Sequence, residues 1–427
     1  MTSENSHELA PRAAACDLIE AALARRAGLD EAQTTGAFTR LEGRDRAFAR
    51  ALALATLRHL GVVDRILAPK LQREPPARIR TLLRLGATQA FFLDVPEFAA
   101  VTTTVDLADA RKETKAFKGL VNAVLRGLLR DGKPELDPAA LAPDWLYARW
   151  RSAFGDEAAA AVAGLIPAEP STDLSVRDPD DIAALAEALP AEHLPGGTLR
   201  TALRGDVASW PAFEDGRWWV QDAAAAIPTR LLNVQKGETA LDLCAAPGGK
   251  TMQMAAAGAK VVAVDRSAAR LKRVTENLAR IGSGAEIIAA DAAVWQDDRT
   301  FDAVLLDAPC SATGTFRRHP DVLWAARSTD IASLAAVQSR LLDAAAAKTK
   351  PGGRLVYCVC SLEPEEGEAQ IRAFLARRTD FQLVPVEPGE GGAPAASVTA
   401  EGMLRILPHH IPGGADGFFA ARLVKAP

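Results

Sequence analysis

One stretch decides the fold of this chain: Asp242-Leu243-Cys244-Ala245-Ala246-Pro247-Gly248-Gly249-Lys250-Thr251. It continues the apolar residues Ala240 and Leu241, which predict a buried β-strand, and it then passes through two glycines towards a helix. Glycine adopts the backbone conformations of tight turns and lets a ligand approach the backbone closely. A strand followed by a glycine turn therefore predicts an α/β fold with a ligand site at that turn.

Apolar runs after residue 216 indicate four more strands, separated by helical segments near 267–281 and 328–349. The runs are Lys260–Asp265, Ala285–Asp291, Asp302–Asp307 and Arg354–Cys358. Near-continuous apolar strands alternating with helices predict a mostly parallel sheet covered on both faces. Two further runs, 403–407 and 417–423, predict an antiparallel pair. We therefore expect a Rossmann-like, seven-stranded sheet.

The rest of the chain has a different pattern. From about Ala10 to Arg130, alanine, leucine and arginine dominate and apolar residues recur at helical spacing, which predicts a helical bundle. A joint rich in proline follows, and then an aromatic cluster between Trp145 and Phe154. We predict three domains: an all-α domain over 1–138, a small linking subdomain over 139–215 and the α/β domain over 216–427.

Composition and charge argue against a membrane protein and against a secreted, disulfide-bonded protein. The 427 residues carry a net charge of −4, but residues 1–140 hold 21 Lys+Arg against 18 Asp+Glu, so this part is the more basic one. The sequence shows no signal peptide and no apolar run long enough to span a bilayer. Its five cysteines are too few for a disulfide framework, so reduced thiols and a cytoplasmic location are expected.

Polar residues at the strand ends supply the candidate ligand site, because ligands of open α/β sheets bind outside the carboxyl ends of the strands. Asp265 ends the second strand, where a carboxylate could accept hydrogen bonds from ribose hydroxyls. Asp291 ends the third and could meet an adenine amino group. A lone strand-end aspartate is more often a helix cap, but three in successive strands, including Asp307, favour a cofactor site. The turn departs from the G-x-G-x-x-G pattern that suits a dinucleotide pyrophosphate.

Two cysteines, Cys310 and Cys360, follow neighbouring strands and are expected to meet at one sheet edge as a nucleophile and its helper. The sequence alone does not show which of the two cysteines is the nucleophile and which is the helper. Cys358 and Cys360 also form a C-x-C pair, but no matching Cys or His pair accompanies it, so no metal site is predicted. Cys358 is interpreted as a buried small hydrophobe. Lys250 could cap the helix or serve the site, and the site role is favoured.

Three motifs resemble the RNA 5-methylcytosine methyltransferases: the stretch 242–251, Asp307-Ala308-Pro309-Cys310-Ser311, and Cys360-Ser361 followed by Pro364-Glu365-Glu366. The helical N-terminal part is similar to the RNA-binding antitermination factor NusB. This fusion is typical of bacterial enzymes that methylate a cytosine of small-subunit ribosomal RNA. Val359 and Gly367 depart from the residues more usual in the family, threonine and asparagine.

The resemblance implies a class I methyltransferase that binds S-adenosylmethionine through residues 244–250, Asp265, Asp291 and Asp307. It assigns the attack on carbon 6 of cytosine to Cys360, the release step to Cys310 and stabilisation at N3 to Asp307. It implies an RNA partner, no metal, no membrane and a monomer, with an RNA-recognition role for 139–215.

Two alternatives stay open: the same chemistry on transfer RNA, or a ribosome-assembly factor that only binds RNA. In either case phosphates need local cations. The candidates are Arg317 and Arg318 at the pocket mouth, with Arg78, Arg80, Arg84 and the lysines of 112–118 farther away.

Overall fold

The computed structural model describes residues 3–24 and 28–427, with side chains from residue 8 onward. The chain forms two compact units: a helical unit, Met1–Glu169 with Phe316–Ala326, and a sheet unit, Pro170–Thr315 with Arg327–Pro427. Residues 1–2 and 25–27, which fall in the predicted helical domain, lie outside the described residues. The three-domain division at 138 and 215 stays a prediction. The compact units group 139–169 with the helices and 170–215 with the sheets.

Helices account for the secondary structure of residues 3–24 and 28–169, with short 3₁₀ turns, as the periodicity predicts. They are α1 (Ser3–Ala24), α2 (Gly28–Ala32), α3 (Gly43–Arg58), α4 (Leu60–Leu67), α5 (Ala77–Phe92), α6 (Glu97–Asp109), α7 (Lys112–Lys115), α8 (Lys118–Asp131), α9 (Pro138–Leu141), α10 (Asp144–Phe154) and α11 (Asp156–Ala163). Leucine, alanine and valine side chains of α1, α3, α5 and α8 form one continuous buried core. No helix in the described part of the chain is long and apolar enough to cross a membrane.

The segment Phe316–Ala326 belongs to the helical unit although it follows the Cys310 loop in sequence. Its backbone and side chains bond to α2 and α3: Leu29 N–H donates to Asp321 Oδ2 (3.0 Å) and Trp324 Nε1 donates to the carbonyl of Leu57 (2.9 Å). Arg317 is only 4% exposed in this segment. The prediction that Arg317 is presented to RNA at a pocket mouth is therefore wrong, because its side chain is almost fully buried.

The remaining helices are α12 (Ile182–Ala188), α13 (Ala223–Leu232), α14 (Gly249–Ala256), α15 (Ala268–Arg280), α16 (Val322–Ala325), α17 (Ser328–Lys348) and α18 (Glu368–Arg377). The strands are β1 (Thr172–Val176), β2 (Ala191–Leu194), β3 (Thr198–Thr201), β4 (Trp218–Val220), β5 (Thr239–Leu243), β6 (Lys260–Asp265), β7 (Glu286–Ala289), β8 (Phe301–Asp307), β9 (Thr349–Val359), β10 (Phe381–Leu383), β11 (Leu404–Ile406) and β12 (Phe418–Lys425).

The large sheet has the strand order β10-β12-β9-β8-β5-β6-β7, with β11 paired to β12. Strands β5 to β9 are parallel to one another, whereas β12 pairs antiparallel with β9, β10 and β11. The predicted parallel sheet and antiparallel tail are thus confirmed. The sheet holds eight strands in the described part of the chain, not seven, since the three-residue β10 gives no periodic signal.

Both faces of this sheet are covered, as the apolar strands predict. Val304 and Leu306 of β8 pack in one core with α17 and α18, while Ala303 and Leu305 pack in a second core with α13. Alternate residues of a strand point to opposite faces, so an apolar residue at every position requires cover on both sides. This arrangement leaves the carboxyl ends of the strands as the free edge for a ligand.

The smaller sheet, β2-β3-β1-β4, is antiparallel throughout. It is anchored by a buried ion pair in which Arg200 donates twice to Asp173 (2.6 and 2.8 Å). Arg200 also donates to the carbonyl of Gly414 (2.7 Å), and Asp173 accepts the Ala223 N–H (3.0 Å). One charged pair therefore joins the small sheet to α13 and to the C-terminal loop.

Candidate active site

The glycine turn between β5 and α14 is shaped by packing as well as by backbone freedom. Gly248 has a φ of 102°, and a Cβ there would lie 3.1 Å from Val274 Cγ1 on α15. Both facts exclude a side chain. Thr251, in the first turn of α14, donates to Asp242 Oδ2 (2.5 Å), which ties the helix back to the strand. The stretch that decides the fold therefore forms a rigid strand–turn–helix unit.

Asp265 fixes this turn from the neighbouring strand. Its side chain is almost fully buried, and its two oxygens accept the Ala246 N–H (3.2 Å) and the Ser267 N–H (2.9 Å). Asp291 is exposed beyond β7 and accepts the Ala293 N–H (2.9 Å), so it does cap the next turn. Beside it Val294 is 68% exposed.

The two thiols predicted to meet do lie together: the Sγ atoms of Cys310 and Cys360 are 3.5 Å apart. Parallel pairing of β8 and β9 places Asp307 opposite Cys358, so the chain beyond each strand delivers its next cysteine to the same edge. Both residues are partly exposed. The hydrogen bond with Cys360 and burial raise the pKa of Cys310 well above the ordinary value for a thiol.

Asp307 and Lys250 form an ion pair at this edge, with Nζ 2.7 Å from Oδ2. Burial lowers the pKa of Lys250, but the Asp307 carboxylate and the thiols of Cys358 and Cys360 outweigh it and raise that pKa above its usual value. Lys250 does not cap α14. Cys358 is fully buried, and burial raises its pKa well above normal, which suits the interpretation of a packing residue.

Glu366 is a site residue that the sequence motif contained but that no pattern singled out. Its carboxylate is fully buried and accepts hydrogen bonds from Ser311 and Ser361, the residues directly after the two cysteines. The only sequence signal was its place in the run Pro364–Glu366.

The family model "16S rRNA methyltransferase RsmB/F" matches residues 229–424, and that of the NusB family matches residues 9–130. The ribosomal RNA small subunit methyltransferase B of Pseudomonas syringae pv. tomato is 38% identical over 440 residues, which is 97% of this chain and 97% of that relative. The chain belongs to the RsmB/F methyltransferase family. The predicted family resemblance and NusB-like part are thereby confirmed.

Solved structures agree with this RsmB/F assignment. The crystal structure of PH0851 is 26% identical with a TM-score of 0.79, covering 98% of this chain and 99% of its own. A methyltransferase homolog protein from Pyrococcus horikoshii is also 26% identical, with a TM-score of 0.56, covering 70% of this chain and 98% of its own. This RsmB/F protein is an S-adenosylmethionine-dependent methyltransferase. The predicted fold class and cofactor are thereby confirmed.

The residues at the strand ends fit S-adenosylmethionine. Asp265 receives only two backbone N–H groups, and a carboxylate has about four acceptor positions, so it can still accept ribose hydroxyls. The exposed Val294 offers apolar surface for a purine ring, with the Asp291 carboxylate near it in sequence. Residues 244–250, with Asp265, Asp291 and Asp307, thus remain the proposed cofactor set.

The cations predicted to grip RNA divide into two groups. Arg78 pairs with Asp17 and Glu20, Arg84 pairs with Asp64, and Arg80 pairs closely with Glu74 and more distantly with Asp64. These three side chains are about five-sixths buried, so their charges are already neutralised inside the helical unit. The lysines of α7 and the start of α8 are exposed, and they remain candidates for phosphate contact.

Proposed function

We propose that this enzyme methylates carbon 5 of a cytosine in small-subunit ribosomal RNA through a covalent bond between Cys360 and carbon 6 of the base. The observation that carries the proposal is the pair of thiols 3.5 Å apart at the ends of β8 and β9, beside the Asp307–Lys250 ion pair. The names of the RsmB/F family and of its relatives support ribosomal RNA as the substrate.

The chemistry needs a thiolate because carbon 5 of cytosine is a poor nucleophile. When the Cys360 thiolate adds to carbon 6, carbon 5 gains enamine character and can attack an electrophilic methyl group. S-adenosylmethionine supplies that methyl group when it is bound. The raised pKa of Cys310 keeps this residue protonated at neutral pH, so it can donate its proton towards the Cys360 thiolate.

The same contact explains how Cys310 changes role after addition. Cys360 is both the hydrogen-bond partner and the nearby charge that raise the pKa of Cys310. Once Cys360 is bonded to carbon 6, its negative charge is gone and the pKa of Cys310 falls. Cys310 can then release its own proton to solvent, and the resulting thiolate can act as the base that removes the proton from carbon 5. The electrons of that C–H bond re-form the C5–C6 double bond, and Cys360 leaves as a thiolate.

Asp307 stabilises the adduct from the side of the base that carries N3 and the amino group. Addition at carbon 6 makes N3 basic, and a protonated N3 presents an N–H that the Asp307 carboxylate accepts. The ion pair with Lys250 orients this carboxylate before the base arrives. A base inside a paired helix cannot reach the sheet edge, so the target is unpaired or extruded from its stack.

The test is adduct trapping on denaturing gels with a 16S ribosomal RNA fragment as substrate. Cys360→Ala abolishes turnover and adduct, whereas Cys310→Ala accumulates a protein–RNA adduct because addition occurs but release fails. Cys16→Ala, which changes a buried cysteine of α1, is the matched control and keeps turnover. An adduct in Cys360→Ala instead of Cys310→Ala reverses the assignment.

The substrate is tested by mapping 5-methylcytosine in RNA from cells with and without the protein. Loss of a mark from 16S ribosomal RNA is the expected result. Loss from transfer RNA alone identifies the alternative substrate, and no loss from either RNA favours a binding factor.

A further inference from the structure

A buried carboxylate connects the two loops that carry the thiols. Glu366 is fully buried, and five hydrogen bonds converge on its carboxylate, one of them a long bond from the Ser311 N–H to Oε2 (3.3 Å). Oε1 accepts from the Ser311 N–H (2.9 Å) and from Gln338 Nε2 (3.0 Å). Oε2 accepts from the hydroxyls of Ser311 and Ser361, each at 2.5 Å.

The backbone of Glu366 is held as well. The hydroxyl of Tyr357, on β9, donates to the Glu366 carbonyl at 2.6 Å, so the strand that precedes Cys360 anchors the residue. Gln338 comes from α17 and donates also to the carbonyl of Pro309 (3.0 Å), next to Cys310. Strand β9, helix α17 and both thiol loops are therefore tied to one residue, β9 through its backbone carbonyl and the others through its carboxylate.

Resting on the function proposed above, we infer that Glu366 is a positioning residue that sets the separation of the Cys310 and Cys360 thiols. Each hydroxyl it holds belongs to the residue directly after a cysteine, so a shift of either serine moves the adjacent Sγ. Within the described part of the chain the carboxylate makes no hydrogen bond to either thiol, and its charge follows the Cys360 hydrogen bond, burial and the Cys360 charge among the causes that raise the pKa of Cys310. Glu366 contributes by fixing the geometry of the two thiols, and this increases the rate of the chemical step.

The hydrogen-bond pattern allows an experiment to distinguish a positioning role of Glu366 from a role of its negative charge. The donors at Oε1 are N–H groups, which cannot reverse, whereas the two close donors at Oε2 are hydroxyls, which can rotate and accept; the Ser311 N–H also reaches Oε2, but at 3.3 Å. In Glu366→Gln, the amide oxygen can take the Oε1 position and the NH₂ group the Oε2 position. The four short contacts are then preserved, and the variant loses the charge and the long contact of the Ser311 N–H with Oε2. Glu366→Ala removes the contacts and the charge together.

The experiment compares Glu366→Gln and Glu366→Ala in the full-length enzyme, with kcat and KM measured for S-adenosylmethionine and RNA. We expect Glu366→Ala to lower kcat about 100-fold with KM for S-adenosylmethionine unchanged, the scale for an ångström-sized misplacement. Glu366→Gln should stay within about fivefold of the parent, as expected when geometry is kept. Normal kcat in Glu366→Ala overturns the inference, and so does an equal loss in both variants.

Asp302→Ala is the matched control for lost stability. Asp302 lies at the other end of β8 and also accepts several hydrogen bonds, from Thr239 and Lys350. This variant should lose stability but keep kcat. If Glu366→Ala does not fold, Ser361→Ala replaces it, because that variant removes one tie to Glu366 and should lower kcat without changing KM for S-adenosylmethionine. Unchanged kcat in Ser361→Ala also contradicts the inference.

A readout that needs no methyl transfer keeps this inference distinct from the proposed function. Diamide, an azo-compound oxidant, takes two electrons and two protons from a pair of thiols and leaves a disulfide. We expect peptide mapping to show a Cys310–Cys360 link that forms at similar rates in the parent and Glu366→Gln but at least about tenfold more slowly in Glu366→Ala. Equal or absent linking in all three proteins contradicts the positioning role. Failure of Cys310→Ala to trap RNA contradicts only the proposed function.

Discussion

Substituting Asp242 by asparagine should remove a pH dependence that this carboxylate imposes on stability. Asp242 lies on β5 under the cofactor turn and is fully buried. Its Oδ2 accepts from Thr251, but within the described chain its Oδ1 has no hydrogen-bond partner. Burial is the main cause that raises the pKa of Asp242 to about 7.

The direction in which stability changes with pH follows from comparing the pKa of Asp242 in the folded and unfolded states. An unfolded aspartate has a pKa of about 3.9, so between about pH 4 and pH 7 the folded chain binds the proton more tightly. Stability therefore falls as pH rises through this window and levels off above the folded pKa. A difference of about 3 pKa units corresponds to about 4 kcal/mol, of which about 3 kcal/mol is lost between pH 5 and pH 8.5.

Asparagine carries no titrating proton, so Asp242→Asn should lack this slope. Its oxygen can still accept from Thr251, while its NH₂ group takes the place of the unpartnered Oδ1 at a cost of about 1–3 kcal/mol. The variant should be about 1–3 kcal/mol less stable than the parent at pH 5 and should equal it or exceed it by up to about 2 kcal/mol at pH 8.5.

The assay is urea unfolding followed by tryptophan fluorescence at pH 5, 7 and 8.5, with the parent and variant compared at each pH. Asp302→Asn is the control, because Lys350 and Thr239 hold the pKa of Asp302 far below its usual value and it does not titrate in this range. A parent-minus-variant difference that does not change with pH refutes the reasoning.

Three further predictions concern the cofactor, the small sheet and RNA. Asp265→Ala should weaken S-adenosylmethionine binding by about 1–3 kcal/mol in calorimetry, and unchanged affinity removes Asp265 from the site. Arg200→Ala should lower unfolding stability by about 3–5 kcal/mol because it strands the buried Asp173 charge. The Asp173→Asn, Arg200→Met double variant should lose much less, and equal losses contradict the account. RNA affinity should fall steeply with salt, and Lys112→Ala should reduce the slope of log K against log salt by about 1; an unchanged slope places the RNA elsewhere.

The sequence predicts the features that depend on local pattern. Apolar runs at strand length and their alternation with helices give the parallel sheet, and parallel strands necessarily bring their carboxyl ends to one edge. That is why the Cys310–Cys360 meeting was predictable without a structure. The glycine turn was predictable too, although Gly248 is required as much by its packing against Val274 as by ligand access.

What the sequence could not predict are polar contacts between residues far apart in the chain. Glu366 meets Ser311 across 55 positions, and no periodicity marks such a pair. In the sequence Arg78 and Arg84 belong to a basic cluster, and only the structure shows their carboxylate partners on other helices. The segment beginning at Phe316 leaves the sheet unit for the same reason: its anchors are single hydrogen bonds to distant helices.

The discontinuity of the helical unit constrains the order in which the protein can fold during synthesis. Residues up to Glu169 leave the ribosome first, but Phe316–Ala326, which completes the unit, is made about 150 residues later. At roughly 5–20 residues per second, the early helices wait about 7–30 s for that segment. During that interval the Leu57 carbonyl and the Leu29 N–H lack the partners they have in the finished protein. The N-terminal helices are thus translated first and completed late, only after the Cys310 loop has been made.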